Sequence, residues 1–173
     1  ARDAKSKDRY VFSNASQYLD IRQIIVGSLG DLDGLVALEE KKHPNVQDTI
    51  GIAGSLLEAG RPKEALGWIR REKIGGLKYM SASDLADGLS PRDALSPQRT
   101  SLEAKILEAL GEKEAAQSLR WSAFEMSLNV ATLREHVSAL PDFEEFAVLD
   151  RAFSHVLASA YIYAALGFLL EWP

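Results

Sequence analysis

Apolar residues recur every three or four positions through almost the whole chain, and this spacing decides the fold class. Tyr18, Ile21, Ile25 and Leu29 make one stripe, Leu32, Leu35 and Val36 a second, and Val46, Ile50, Ala53 and Leu57 a third. Stripes of this period define amphipathic helices, and no stretch shows the apolar–polar alternation of a strand. The punctuation agrees with the stripes. Asn14 and Gln17 can form a capping box before the first, Gly30-Asp31 restarts the chain, and His43-Pro44-Asn45 breaks it. Asn45 with Asp48 can cap the third helix, and Gly60 stops it. Pro62 then stands at the first position of the next, where its missing N–H is no loss. Further helices are expected over Glu112–Leu128, over Asn129–Leu140 and, after Pro141, from Asp142 onward. With about nine helices and no strand, this is an all-α chain.

Part of the pattern repeats. LLEAGRPKEAL (56–66) matches ILEALGEKEAA (106–116): an apolar helix, a glycine stop, a charged turn, then Glu-Ala. Leu56 and Leu107 lie four residues before the glycine, and Ala65 and Ala116 five after it. That describes an antiparallel hairpin with small residues where two helices approach closely. It is the layout of a tetratricopeptide-like α–α superhelix, although the spacing exceeds that repeat's ~34 residues. The expected organisation is a polar arm over 1–12 and a single helical-repeat domain over 13–173 with an irregular connector at 74–98. Within the connector, Ser90-Pro91 and Ser96-Pro97 can each start a helical turn. Beginning at Ala1 and ending in Glu171-Trp172-Pro173 after an apolar run, the chain reads as part of a longer helical protein.

Catalytic chemistry is hard to find. The absence of cysteine excludes disulfides, Cys-ligated zinc and thiol catalysis, and it fits a cytoplasmic protein. No P-loop, dinucleotide fingerprint, His-Glu-x-x-His, EF-hand or Gly-x-Ser-x-Gly pattern is present. His43, His136 and His155 sit on separate segments without ligand spacing. Glu39-Glu40 and Glu144-Glu145 point about 100° apart on a helix, so they read as solvated faces and caps. No catalytic, cofactor-binding or metal-ligating residue is expected, and no cofactor.

Charge is uneven. The net of −5 disfavours broad nucleic-acid binding, which needs a dominant positive field. Residues 1–80 hold 13 basic and 11 acidic side chains, residues 81–173 only 7 against 14. Arg61, Lys63, Arg70, Arg71, Lys73 and Lys78 cluster in the basic half, either as a patch for an acidic partner or as an ordinary solvated helix face. Fifteen uncharged residues, 156–170, are too few for a membrane span of roughly 20 and are read as a packed helix. Apolar positions run round most of that helix, so a second copy covering it, as a homodimer, is expected.

Two charges interrupt apolar arcs. On the helix over 112–128, Arg120 projects between Ala116, Leu119 and Ala123 on one side and Trp121, Phe124 and Leu128 on the other. After Asp142, Phe146, Ala147, Phe153 and Leu157 read as the buried arc, with Asp150 at its centre. An unpaired buried charge costs several kcal/mol, so Arg120 and Asp150 are expected to meet as a structural ion pair, unless Arg120 snorkels along Trp121 to solvent. Arg22 and Glu39 form a weaker case of the same pattern.

Residues 107–143, LEALGEKEAAQSLRWSAFEMSLNVATLREHVSALPDF, resemble a bacterial family built around an all-helical, tetratricopeptide-like domain of unknown function. Arg120-Trp121, Phe124-Glu125, Leu133-Arg134 and Leu140-Pro141-Asp142-Phe143 carry the likeness, with LLEAGRPKEALGWI and ALGFLLEWP as further parts over roughly residues 45–173. The resemblance implies the fold and an interaction role; it brings no activity, cofactor or catalytic residue. The function expected is therefore a protein–protein interaction module. The alternative is an enzyme or small-molecule binder with its pocket between helices.

Overall fold

The two copies of the Leu–Gly–Ala pattern fold as the same turn. In the computed structural model, which describes residues 18, 21–71, 82–87, 96–141 and 143–172, Gly60 and Gly111 both take left-handed backbone, with φ of 73° and 83°. In the first turn Gly60 N–H donates to Leu57 O and Arg61 N–H to Leu56 O; in the second, Gly111 donates to Glu108 O and Glu112 to Leu107 O, all at 2.9 Å. These bonds satisfy carbonyls that a helix end otherwise leaves unpaired. Ala65 and Ala116, at the close approach after each turn, are fully buried.

Around these turns the described residues form α1 (21–28), α2 (Leu32–Glu40), α3 (Thr49–Glu58), α4 (Pro62–Ile69), α5 (Ala82–Ala86), α6 (Pro97–Ala109), α7 (Lys113–Ser127), α8 (Val130–Ser138), α9 (Glu145–Ala158) and α10 (Ile162–Glu171), with a 3-10 turn at Pro44–Val46. No strand occurs among them. Helices adjacent in sequence pack as pairs, α3 with α4, α6 with α7 and α7 with α8, and α4 against α6 joins the first hairpin to the second. Asp31, Asp48, Ser96 and Asn129 cap α2, α3, α6 and α8 through their side chains. One apolar cluster (Ile52, Leu56, Trp68, Ile69, Ile106) fills α3–α4–α6, and another (Trp121, Phe124, Leu133, Val156, Phe168) fills α7–α10. Each such large side chain contributes ~1.5–3 kcal/mol by leaving water.

Three sequence expectations change here. The Tyr18–Ile21–Ile25–Leu29 stripe is exposed; α1 turns Gln23 and Val26 toward α2 instead, because apolar residues run round most of its circumference and name no face. The 156–170 segment is two helices. Ser159 takes extended backbone and its hydroxyl accepts the Tyr161 N–H at 3.1 Å, which ends α9 and starts α10. Within the connector, α5 presents Asp87, whose carboxylate accepts the Tyr163 and Ala164 N–H groups at 3.2 and 3.0 Å. It thereby caps α10, which has no side-chain cap of its own. The arm 1–12, the Asn14–Gln17 box, Ser90-Pro91 and the Asp142 start lie outside the described residues.

The turn makes a signed prediction. At Gly111 a methyl group would meet nothing within 4 Å, so Gly111→Ala is limited by its backbone angle and should lose ~1–2 kcal/mol. Gly54, in the middle of α3, also has open space around it and an ordinary helical φ, so Gly54→Ala should gain ~0.5–1 kcal/mol. Urea unfolding of the two variants should give midpoints on opposite sides of the wild type.

Candidate functional site

The basic cluster becomes a set of braces. Arg61 on the α3–α4 turn grips Glu64 at 2.6 Å and also Asp33 of α2. Arg70 reaches Glu103 of α6 at 2.7 Å, and Arg71 reaches Glu40 of α2 at 3.0 Å while its guanidinium lies 3.4 Å over the Trp68 ring. These three cations tie neighbouring helices together and spend their charge inside the chain. Lys63 is exposed, and Lys73 and Lys78 lie outside the described residues.

Arg120 is buried as its place on α7 predicted, at 5% exposure, but its partner is different. Its Nη1 donates to Glu108 Oε1 on α6 at 2.6 Å, and that hydrogen bond holds the Glu108 carboxyl below its usual pKa. Asp150 is solvent-exposed and does not meet Arg120. The reason is the face of α9. Val148, Leu149, Ala152, Phe153 and Val156 turn inward, while Phe146 and Leu157 face water. The true arc is displaced about one residue, or 100°, from the expected one, and the displacement carries Asp150 out with it.

The second expected pair is also rearranged. Glu39 is buried, not on a solvated face, and its carboxylate accepts the Asp48 N–H at 2.6 Å and a bond from Gln23, with Lys42 Nζ at 3.1 Å. Burial pushes its pKa up, but these hydrogen bonds outweigh burial and hold the carboxyl below the usual value. Arg22 lies on the exposed rim of α1 instead.

Behind Arg120 lies a tight polar layer. His136 of α8 packs against Trp121, ring centroids 5.5 Å apart, and Arg151 of α9 covers that indole at 3.9 Å while reaching Glu125 at 3.3 Å. Arg120 Nε, Trp121 Nε1 and His136 Nδ1 are buried without a hydrogen-bond partner among the described residues. Burial first, then the nearby Arg120 and Arg151 charges, hold the His136 pKa below its ordinary 6.5. A histidine whose folded pKa is depressed gives stability that is complete above the unfolded value and is lost as pH falls toward the folded one. Urea midpoints should therefore decline as pH drops below about 6.5, before the carboxylates titrate, and His136→Gln should flatten that decline.

The surface around α9 and α10 is the most unusual part of the molecule. Phe143, Phe146, Leu157, Ile162, Tyr163, Leu166 and Leu170 are all more than half exposed. Phe143, 87% exposed, also sits in left-handed backbone with φ 74°, a strained conformation for an aromatic residue and one that collects at binding sites. Beside it a groove of about 440 Å³ runs between Val137, Leu140, Pro141 and Phe146. Of the residues that carry the family likeness, Arg120, Trp121, Phe124 and Leu133 build the interior. Phe143 does the opposite and is held out to solvent.

Packed helical hairpins with large apolar side chains exposed both around α1 and on α9–α10 define an all-α protein whose described residues contain no helix able to cross a membrane and no cluster able to hold a metal. The chain belongs to the family of unknown function DUF6880, whose sequence profile matches residues 1–173. Searches of curated proteins and of solved structures gave no match.

Proposed function

We propose that this chain is a protein–protein interaction module, a tetratricopeptide-like array of helical hairpins acting in the bacterial cytoplasm. One observation carries the reading: the large apolar side chains left more than half exposed on and beside α9 and α10, Phe143, Phe146, Leu157, Ile162, Leu166 and Leu170. Such a concentration of exposed apolar side chains marks a surface that meets a partner, and helical arrays work by presenting such surfaces. Holding Phe143 outward in strained backbone costs free energy that packing does not return.

The test compares affinity capture by the wild type and by Phe146→Ser/Leu157→Ser. Both changes are at exposed positions of α9 and should leave the helical circular dichroism intact. A protein retained by the wild type and lost by the variant supports the reading. Identical captures by both, with both chains folded, would overturn it.

A further inference from the structure

We propose that a second copy of this chain docks head to tail on the first, its α10 lying in the groove between α1 and α2. This names a partner for the interaction role above and rests on that role.

The groove holds about 330 Å³, with Val26, Ala37 and Leu38 along its floor and Arg22 and Lys41 at its rim. Of the described carboxylates near it, Asp33 holds Arg61, Glu40 holds Arg71 and Glu39 is buried beside Lys42, while Asp31 caps α2 through the Gly34 N–H and keeps its charge outside the groove lining. The groove therefore presents an apolar floor between two exposed cations.

The other end of the molecule is its complement. Ile162, Leu166 and Leu169 fall at i, i+4 and i+7 on the outer side of α10, the spacing by which an amphipathic helix anchors in a groove. Leu170 extends that stripe and the exposed Glu171 ends the helix, while Phe168 faces inward onto Phe124. The one Lys or Arg over residues 143–172 is Arg151, which is held by Glu125; Glu144, Glu145, Asp150 and Glu171 are exposed. A symmetric pairing of the α9–α10 ends would bring two net-acidic surfaces together, whereas the α1–α2 groove is lined by Arg22 and Lys41. The contact is heterologous, so growth does not stop at a dimer unless the rotation between copies closes a ring.

Sedimentation velocity on three samples tests this. The head variant is Arg22→Glu/Lys41→Glu and the tail variant Leu166→Ser/Leu170→Ser, all at exposed positions. The wild type should grow beyond a dimer with concentration, and each variant alone should associate at least ~tenfold more weakly. Their equimolar mixture should form a dimer, since one intact head then meets one intact tail. Self-association that survives in the head variant and is lost in the tail variant would mean symmetric pairing through α10, and would overturn the proposal. Association lost in both and not restored by mixing would overturn it too. A wild type monomeric at every concentration would also refute self-docking, while the interaction role would still be judged by the capture experiment.

Discussion

Phe124→Ala should be the most damaging single substitution in the chain, lowering stability by ~3–5 kcal/mol. The ring is fully buried and lies at the centre of an aromatic set, 5.6 Å from Trp121, 6.2 Å from His155 and 5.7 Å from Phe168. Phe168 continues this set to Phe153 and Trp172, so the cavity opens under α9 and α10 together. A domain's total stability is about 5–15 kcal/mol, which makes this a large part of it. At this chain length the melting temperature should fall by ~6–20 °C. Phe146→Ala removes the same ring from an exposed position and should stay within ~0.5 kcal/mol of the wild type. Thermal unfolding of the two variants checks the assignment of the α9 face. Equal losses would contradict it.

The second large effect concerns Glu108 and Arg120. Removing the carboxylate strands a guanidinium that is 94% buried as a side chain, and Glu108→Ala should cost ~2–3 kcal/mol. This is below the full cost for buried pairs because about a third of the Glu108 side chain is exposed. The repeat suggests how to recover the loss. At the matching positions of the first hairpin stand Leu57 and Ile69, both part of one apolar cluster. Glu108→Leu/Arg120→Met should therefore return to within ~1 kcal/mol of the wild type, since apolar replacement of a buried pair is often neutral or better. Asp150→Ala should change little. The pair's pH dependence has a definite sign. A depressed folded pKa gives stability present above the ordinary carboxylate value and lost as pH falls through the folded one, so Glu108→Ala should lose less of its remaining stability in acid. Urea unfolding at neutral and acidic pH measures both effects.

The hairpin turns were legible in the sequence because their determinants are local. A leucine four residues before a glycine and an alanine five after it are enough to specify the turn and the close approach. The start of α6 at Ser96-Pro97 was legible for the same reason. Long-range choices were not. On α9 the large side chains Phe146, Phe153 and Leu157 suggest the wrong buried arc, since only Phe153 of the three packs inward. Glu108 gave no sign of its role, since it sits among charged residues and meets Arg120 across the turn. Glu39 is recognised by a backbone N–H, which no side-chain pattern records. The cap on α10 comes from Asp87, 76 residues upstream. Periodicity also failed to separate exposed apolar side chains from buried ones, because an exposed apolar stripe and a buried one have the same spacing. Only the packing of α7–α10 distinguishes Phe143 from Phe124.

The most direct test of the interaction role is photo-crosslinking in the source cell, with a photoreactive residue placed in turn at Phe143, Phe146, Leu157 and, as control, the exposed Glu114 on α7. The three apolar positions should yield a discrete crosslinked protein and Glu114 should not. Equal crosslinking at all four positions, or none at the three apolar ones, would contradict the interaction role.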